Sequence, residues 1–213
     1  MKDNVFFVSG IDTNVGKSYA TGYLAKTWNE QGVRTITQKF IQTGNVGMSE
    51  DIELHRKIMG TGLLPEDESG LTMPEIFTYP CSPHLAAEID HRPIDFDKIE
   101  KATRQLSETY DAVLLEGAGC LMVPLTRDLL TIDYVAQKNY PLIFVTSGKL
   151  GSINHTLLSL EAVTRRGIRL HTVAYNLFPE EDDDIIRRDT EAYISDLLAK
   201  EYPETHFVIV PKL

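Results

Sequence analysis

The sequence holds only two cysteines, Cys81 and Cys120, far apart and in no C-x-x-C spacing. That scarcity excludes a disulfide framework, a cysteine zinc site and a thioredoxin-like pair, and it suits a reducing compartment. Long apolar runs are missing as well. Although 42% of the 213 residues are hydrophobic, no stretch approaches the roughly 20 apolar residues of a membrane-spanning helix. The first residues run directly into Val5-Phe6-Phe7-Val8, without the basic, apolar and small-residue segments of a secretory leader. The expectation is a cytoplasmic protein with no membrane partner. Positive charge is in deficit: 21 Lys and Arg against 31 Asp and Glu give a net charge of −10, and the bases are scattered. Such a surface repels a polyanion, so no nucleic-acid partner is expected. No internal repeat or low-complexity tract is evident. The densest acidic run, Glu180 to Asp184, precedes a helical pattern and reads as a solvated helix start favoured by the helix dipole, not as a metal trap.

What is present is an alternation of two patterns. Apolar runs recur at 5–8, 35–37, 112–115, 142–145, 172–175 and 207–210. Most are apolar on consecutive positions, as strands covered on both faces require, and such strands belong to parallel sheets sandwiched by helices. Between them lie segments with a 3.6-residue period. The first covers 16–31, with Ala20, Leu24 and Trp28 on one stripe and Gly32 as a stop; the others lie near 50–59, 95–109, 129–138, 153–166 and 183–200. The alternation predicts a single α/β domain over 1–213 with a doubly wound, mainly parallel sheet and helices on both faces, and ligands beyond the carboxyl ends of the strands. The Pro- and Gly-containing stretch 60–93 breaks the rhythm and reads as an excursion at the sheet edge.

Gly10-Ile11-Asp12-Thr13-Asn14-Val15-Gly16-Lys17-Ser18 follows the first strand and opens the first helix, the setting of a phosphate-binding loop. Glycine lets the backbone turn its amides toward phosphate, Lys17 can reach the β and γ phosphates, and the Ser18 hydroxyl can ligate Mg²⁺. The usual loop places four residues between its two glycines, whereas five separate Gly10 from Gly16. A strand ending in Glu116, followed by Gly117-Ala118-Gly119, supplies the strand-end carboxylate that holds Mg²⁺ in phosphate-loop enzymes. Lys39, at the end of the second strand, would bring a second ammonium to the same edge. Asp51, at the start of the next helix, could complete the metal shell or simply be a helix-start acid.

With these residues in hand, the chain resembles the dethiobiotin synthetase family of P-loop enzymes over nearly its whole length. Five segments carry the likeness: 10–18, 39–44, Ser82-Pro83-His84, 116–119 and Lys149-Leu150-Gly151-Ser152-Ile153-Asn154-His155. The resemblance implies an ATP- and Mg²⁺-dependent ligase. In it CO₂ joins one amine of 7,8-diaminononanoate, ATP phosphorylates the carbamate, and the other amine displaces phosphate to close a cyclic urea. It implies catalytic roles for Thr13, Lys17 and Lys39, and metal ligation by Ser18, Asp51 and Glu116. Nucleotide contacts are implied at Asn14, Val15, Gly16, Tyr19, Gly117, Ala118 and Gly119. For the adenine, they are implied at Asn176, Leu177, Pro211, Lys212 and Leu213. Substrate contacts are implied at Thr43 and, from the partner of a homodimer, at Gly151, Ser152, Ile153 and Asn154.

The sequence departs from the family at Phe40, where proline is usual, at Cys120, where glycine is usual, and at Asn14, where an acid is frequent. Relatives also often continue with another helix beyond Leu213. The first two departures are expected to reshape the substrate pocket, and the last to leave the base less enclosed. His84 and His155 read as structural or interface residues, since neither has a second histidine at ligand spacing. Two alternatives stand beside the ligase: another P-loop amide-forming synthetase, and a nucleotide switch of the partitioning type that binds a protein partner. Such switches carry lysine where this loop has Asp12.

Overall fold

The computed structural model describes residues 4–178 and 183–212. In chain order the elements are β1 (Val5–Gly10), α1 (Lys17–Glu30), β2 (Thr35–Lys39), β3 (Gln42–Thr43), α2 (Glu50–Met59), α3 (Pro65–Glu68), β4 (Ile76–Phe77) and α4 (Pro83–Ile89). They continue as α5 (Phe96–Thr109), β5 (Ala112–Glu116), α6 (Thr131–Lys138), β6 (Leu142–Ser147), α7 (Ser152–Arg165), β7 (Leu170–Asn176), α8 (Asp184–Glu201) and β8 (His206–Val210). The six strands expected from the apolar runs form one six-stranded sheet in the order β2-β5-β1-β6-β7-β8, and every pairing is parallel.

Side-chain alternation along each strand explains the two-sided core. Phe7, Val113, Leu115 and Phe144 enter one cluster with Ile99, Leu106, Ile132, Leu160 and Ile194 from the helices. Their neighbours Val8, Leu114, Ile143 and Val145 enter a second with Ala20 and Leu24 of α1. Both faces of the strand are apolar because both are covered. The helix ends follow local chemistry. Ser49 caps α2 by accepting from the Ile52 N–H at 3.3 Å, and Gly60, at φ 73°, ends it. Asp183 accepts from the Ile185 N–H at 2.8 Å at the start of α8, as expected of a helix-start acid; Glu180, Glu181 and Asp182 of the same run lie outside the described residues.

The stretch 60–93 runs along β2, the edge strand, as expected, but it is not irregular throughout. It carries α3, β4 and α4, elements too short to show a period. Lys39 N–H donates to the Thr72 carbonyl at 2.7 Å and Gln42 N–H to that of Glu75 at 2.8 Å, and β4 pairs with β3. Helix α6 starts two residues later than the pattern predicts, because Leu130 is held in an antiparallel bridge with Pro124. Among the described residues no helix is long and apolar enough to cross a membrane. The parallel register sets Lys39 beside Glu116 and Gly10 beside Val145, so the predicted loop and both strand-end charges share one end of the sheet.

Candidate active site

Steric space forces glycine at both ends of the β1–α1 loop. A Cβ on Gly10 would stand 2.7 Å from Val15 Cγ1 and 3.0 Å from the Val145 carbonyl oxygen. Gly16 adopts φ +83°, and a Cβ there would fall 2.1 Å from Asn176 Nδ2. Just beyond Gly16, Lys17 folds back over the loop, its Nζ donating to the carbonyls of Asp12 at 2.8 Å and Thr13 at 3.1 Å. Burial lowers the pKa of this ammonium, and Lys39 adds to the effect against the pull of Glu116.

Beside the loop, three oxygens and a second ammonium converge. Ser18 Oγ lies 2.7 Å from Asp51 Oδ1 and 2.8 Å from Glu116 Oε1. Lys39 Nζ donates to Glu116 Oε1 at 2.8 Å, forms an ion pair with Asp51, and reaches the Gly117 carbonyl at 3.3 Å. Lys39 and Glu116 are both buried. For Lys39, burial alone would lower the pKa, but the carboxylates of Glu116 and Asp51 reverse the direction and raise it. For Glu116, burial opposes the charged form, yet Lys39 and His55 outweigh it and hold the carboxyl far below the usual range.

This donor set fits Mg²⁺. The single Ser18 proton can serve only one of the two carboxylate oxygens that face it, so a cation there would bring together the Ser18 oxygen and the two oxygens that otherwise compete for its hydrogen. All are hard ligands of the kind Mg²⁺ prefers, and phosphate oxygens would complete the shell.

The cleft measures about 440 Å³. Thr13, Asn14, Gly16, Lys17, Ser18, Tyr19, Lys39, Thr43, Asp51, Glu116, Ala118 and Gly119 line it, so most of the predicted residues meet there. An adjoining hollow of about 390 Å³ shares Thr13, Thr43, Ala118 and Gly119 and adds Cys81, Ser82 and Pro83. Val15 turns its side chain into the core and offers its carbonyl to Asn176 Nδ2 at 2.9 Å. Asn176 is buried behind the loop and accepts from the Phe178 N–H at 3.2 Å. Leu177 N–H donates to the Val210 carbonyl at 3.0 Å, just before Pro211 and Lys212; Leu213 lies outside the described residues. Gly151, Ser152, Ile153 and Asn154 are not in this cleft; they open α7, with Gly151 at φ 96°.

One expectation changes, and one further residue enters the site. Phe40 does not shape the pocket: it is fully buried, 5.5 Å from the Phe7 ring and 4.8 Å from Tyr134, because it points opposite to Lys39. Among the histidines, His155 is exposed and His84 half-buried, whereas His55, which no sequence motif marks, touches Glu116 at 2.7 Å. The available signal was its position one helical turn after Asp51. Phe178, Glu50 and Leu54 also line the cleft and were not anticipated.

A glycine-bent loop between a central parallel strand and a helix, with a loop lysine, a helix-start serine and a strand-end carboxylate in contact, defines a nucleotide-binding protein of the P-loop class. Solved structures agree on the fold. A ParA family ATPase from Chlorobium tepidum aligns at TM-score 0.53 with 12% identity, over 99% of this chain and 85% of that one. The MinC:MinD cell division protein complex of Aquifex aeolicus aligns at 0.55 with 13% identity, over 99% and 82%. An AAA domain family model matches residues 4–211. ATP-dependent dethiobiotin synthetase BioD 2 of Pasteurella multocida is 52% identical over 97% of this chain and 96% of its own length. ATP-dependent dethiobiotin synthetase BioD of Chlorobaculum tepidum is 52% identical over 90% and 80%. The chain belongs to the ATP-dependent dethiobiotin synthetase family.

Proposed function

We propose that the carboxyl-end cleft carries out ATP-dependent dethiobiotin synthesis, a step of biotin biosynthesis, with the whole chain acting as one P-loop α/β domain in the cytoplasm. Contact of Lys39, Ser18 and His55 with a single buried carboxylate, Glu116, is the observation that carries this reading of the site. It fixes a compact set of compensated charges next to the phosphate loop, which transfer of a phosphoryl group between two anions requires.

CO₂ and one amine of 7,8-diaminononanoate form a carbamate. Its oxygen attacks the γ-phosphorus of ATP and ADP departs; the second amine then attacks the carbonyl carbon, and phosphate leaves with the oxygen. Loop amides and Lys17 bind the phosphates. Lys39, fully charged between two carboxylates, steadies the negative charge that builds on the transferring group. Ser18, Asp51 and Glu116 would hold Mg²⁺, which when bound supplies a Lewis acid for phosphate oxygens. Thr13 and Thr43, at the seam of the cleft and the adjoining hollow, orient the substrate. The buried Asn176 borders the base, with Leu177, Pro211 and Lys212 alongside, and Tyr19 contacts the nucleotide.

The substrate carboxylate is bound by the amides that open α7 in a second copy of the chain, at Gly151, Ser152, Ile153 and Asn154. Exposed Leu150 and Leu158 on either side of that helix start support a homodimer, which a monomeric mass at assay concentration would contradict. The reaction itself is tested by following phosphate release from Mg-ATP. Release should require both bicarbonate and the diamine; steady hydrolysis without the diamine, raised by a protein partner, would contradict the ligase and favour a switch.

A further inference from the structure

Behind Glu116 runs a file of buried polar groups that binding phosphate does not require. Glu116 divides its oxygens: Oε1 faces Ser18 and Lys39, both at 2.8 Å, while Oε2 faces His55 Nε2 at 2.7 Å. His55 Nδ1 lies 3.0 Å from Thr37 Oγ1. Thr37 Oγ1 accepts from Arg56 Nη1 at 2.8 Å, and Arg56 Nε and Nη2 each donate to Asp67 at 2.8 Å. Asp67 is held in turn by the Thr72 hydroxyl at 2.7 Å and the Leu64 N–H at 2.8 Å. The side chains from Asp67 to Glu116 in this file are all buried.

Donor and acceptor roles along the file follow from valence. A carboxylate only accepts, so His55 Nε2 carries the hydrogen shared with Glu116. Thr37 Oγ1 already accepts from Arg56, and its own hydrogen can turn to His55 Nδ1. Every group is then satisfied, with no freedom left for Glu116 to rotate without stranding a buried donor. The excursion that carries Asp67 and the helix that carries His55 thereby brace the carboxylate from behind.

We propose that His55 is a positioning residue: by holding Oε2 it presents Oε1 to the divalent cation beside Ser18. The inference rests on the reading of Glu116 as a metal ligand, and it extends that reading from the ligand to the group that aims it. Outer partners of metal ligands set affinity because they fix the ligand's orientation before the metal arrives.

The experiment measures Mn²⁺ affinity of the full-length protein in complex with ADP, by the paramagnetic resonance of free Mn²⁺, alongside ADP affinity without metal. Three variants are compared with the parent: His55→Asn, His55→Gln and Glu116→Gln. Asparagine keeps a partner where Nδ1 lies, which spares the contact with Thr37, but is too short to reach Glu116. Glutamine extends an amide donor to where Nε2 lies. His55→Asn should weaken Mn²⁺ binding by about 10- to 100-fold, with metal-free ADP affinity unchanged, and His55→Gln should return it close to the parent value. A merely structural histidine would lower the melting temperature of both variants and leave Mn²⁺ affinity alone. If Glu116→Gln weakens Mn²⁺ binding while His55→Asn does not, the positioning role is wrong and the ligand reading stands. If Glu116→Gln binds Mn²⁺ as the parent does, both are wrong.

Discussion

The two ends of the sheet handle burial in opposite ways. At the carboxyl end, Lys39 and Glu116 are buried and remain charged, because each has an opposite charge within hydrogen-bonding reach. At the amino end, His171 of β7 sits among aromatic rings, 4.8 Å from Phe6, 5.2 Å from His206 and 6.1 Å from Trp28. Burial pushes its pKa down to about 4, with His206 and Arg169 pushing the same way. Desolvation acts on both ends; at the carboxyl end opposite charges outweigh it, whereas the charges beside His171 add to it. Parallel topology accounts for the difference. The strand ends, the helix that follows the loop and the start of α2 deliver Lys39, Glu116, Ser18, Asp51 and His55 to one place from four elements, β2, β5, α1 and α2, whereas the strand starts bring together the rings of Phe6, Trp28, His171, His206 and Phe207.

The sharpest break in the comparison is to remove the counter-charge. Lys39→Ala should lower turnover by roughly 100-fold or more, the order seen when one preorganised group at a developing charge is lost. ADP binding should stay near the parent value, because Lys17 and the loop still hold the phosphates. Steady-state kinetics and calorimetry check this, and near-normal turnover would take Lys39 out of the mechanism.

A smaller effect probes the other end. An unfolded histidine titrates at about 6.5, and His171 in the fold at about 4. Between those values the unfolded chain binds the proton more readily, so stability rises with pH there. The contribution is fully present above the unfolded pKa and is lost as pH falls toward the folded one. His171→Phe should flatten that part of the melting-temperature profile. An unchanged slope would show that the ring cluster does not exclude the charged form.

The main sheet was legible in the sequence because most of its strands are apolar on consecutive positions, and the loop because Gly10, Gly16, Lys17 and Ser18 stand between a strand and a helix. What escaped has physical reasons. Strands β3 and β4 are two residues each and owe their pairing to the excursion's path along β2, not to a pattern of their own. His55 escaped because a histidine one turn beyond an aspartate is ordinary on any helix, and its partner Glu116 lies 61 residues away, brought near only by the sheet. Phe40 was misplaced because adjacency to Lys39 in sequence means opposite directions along an extended chain. Lys39 itself was found through its strand end; its burial between two carboxylates could not be read there.

The central claim is that these compensated charges close a urea ring. Incubating the protein with Mg-ATP, carbon-13 bicarbonate and 7,8-diaminononanoate tests it most directly, with mass spectrometry of the products. Dethiobiotin carrying one labelled carbon should form, in amounts matching the ADP. ADP accumulating without labelled dethiobiotin would contradict the claim.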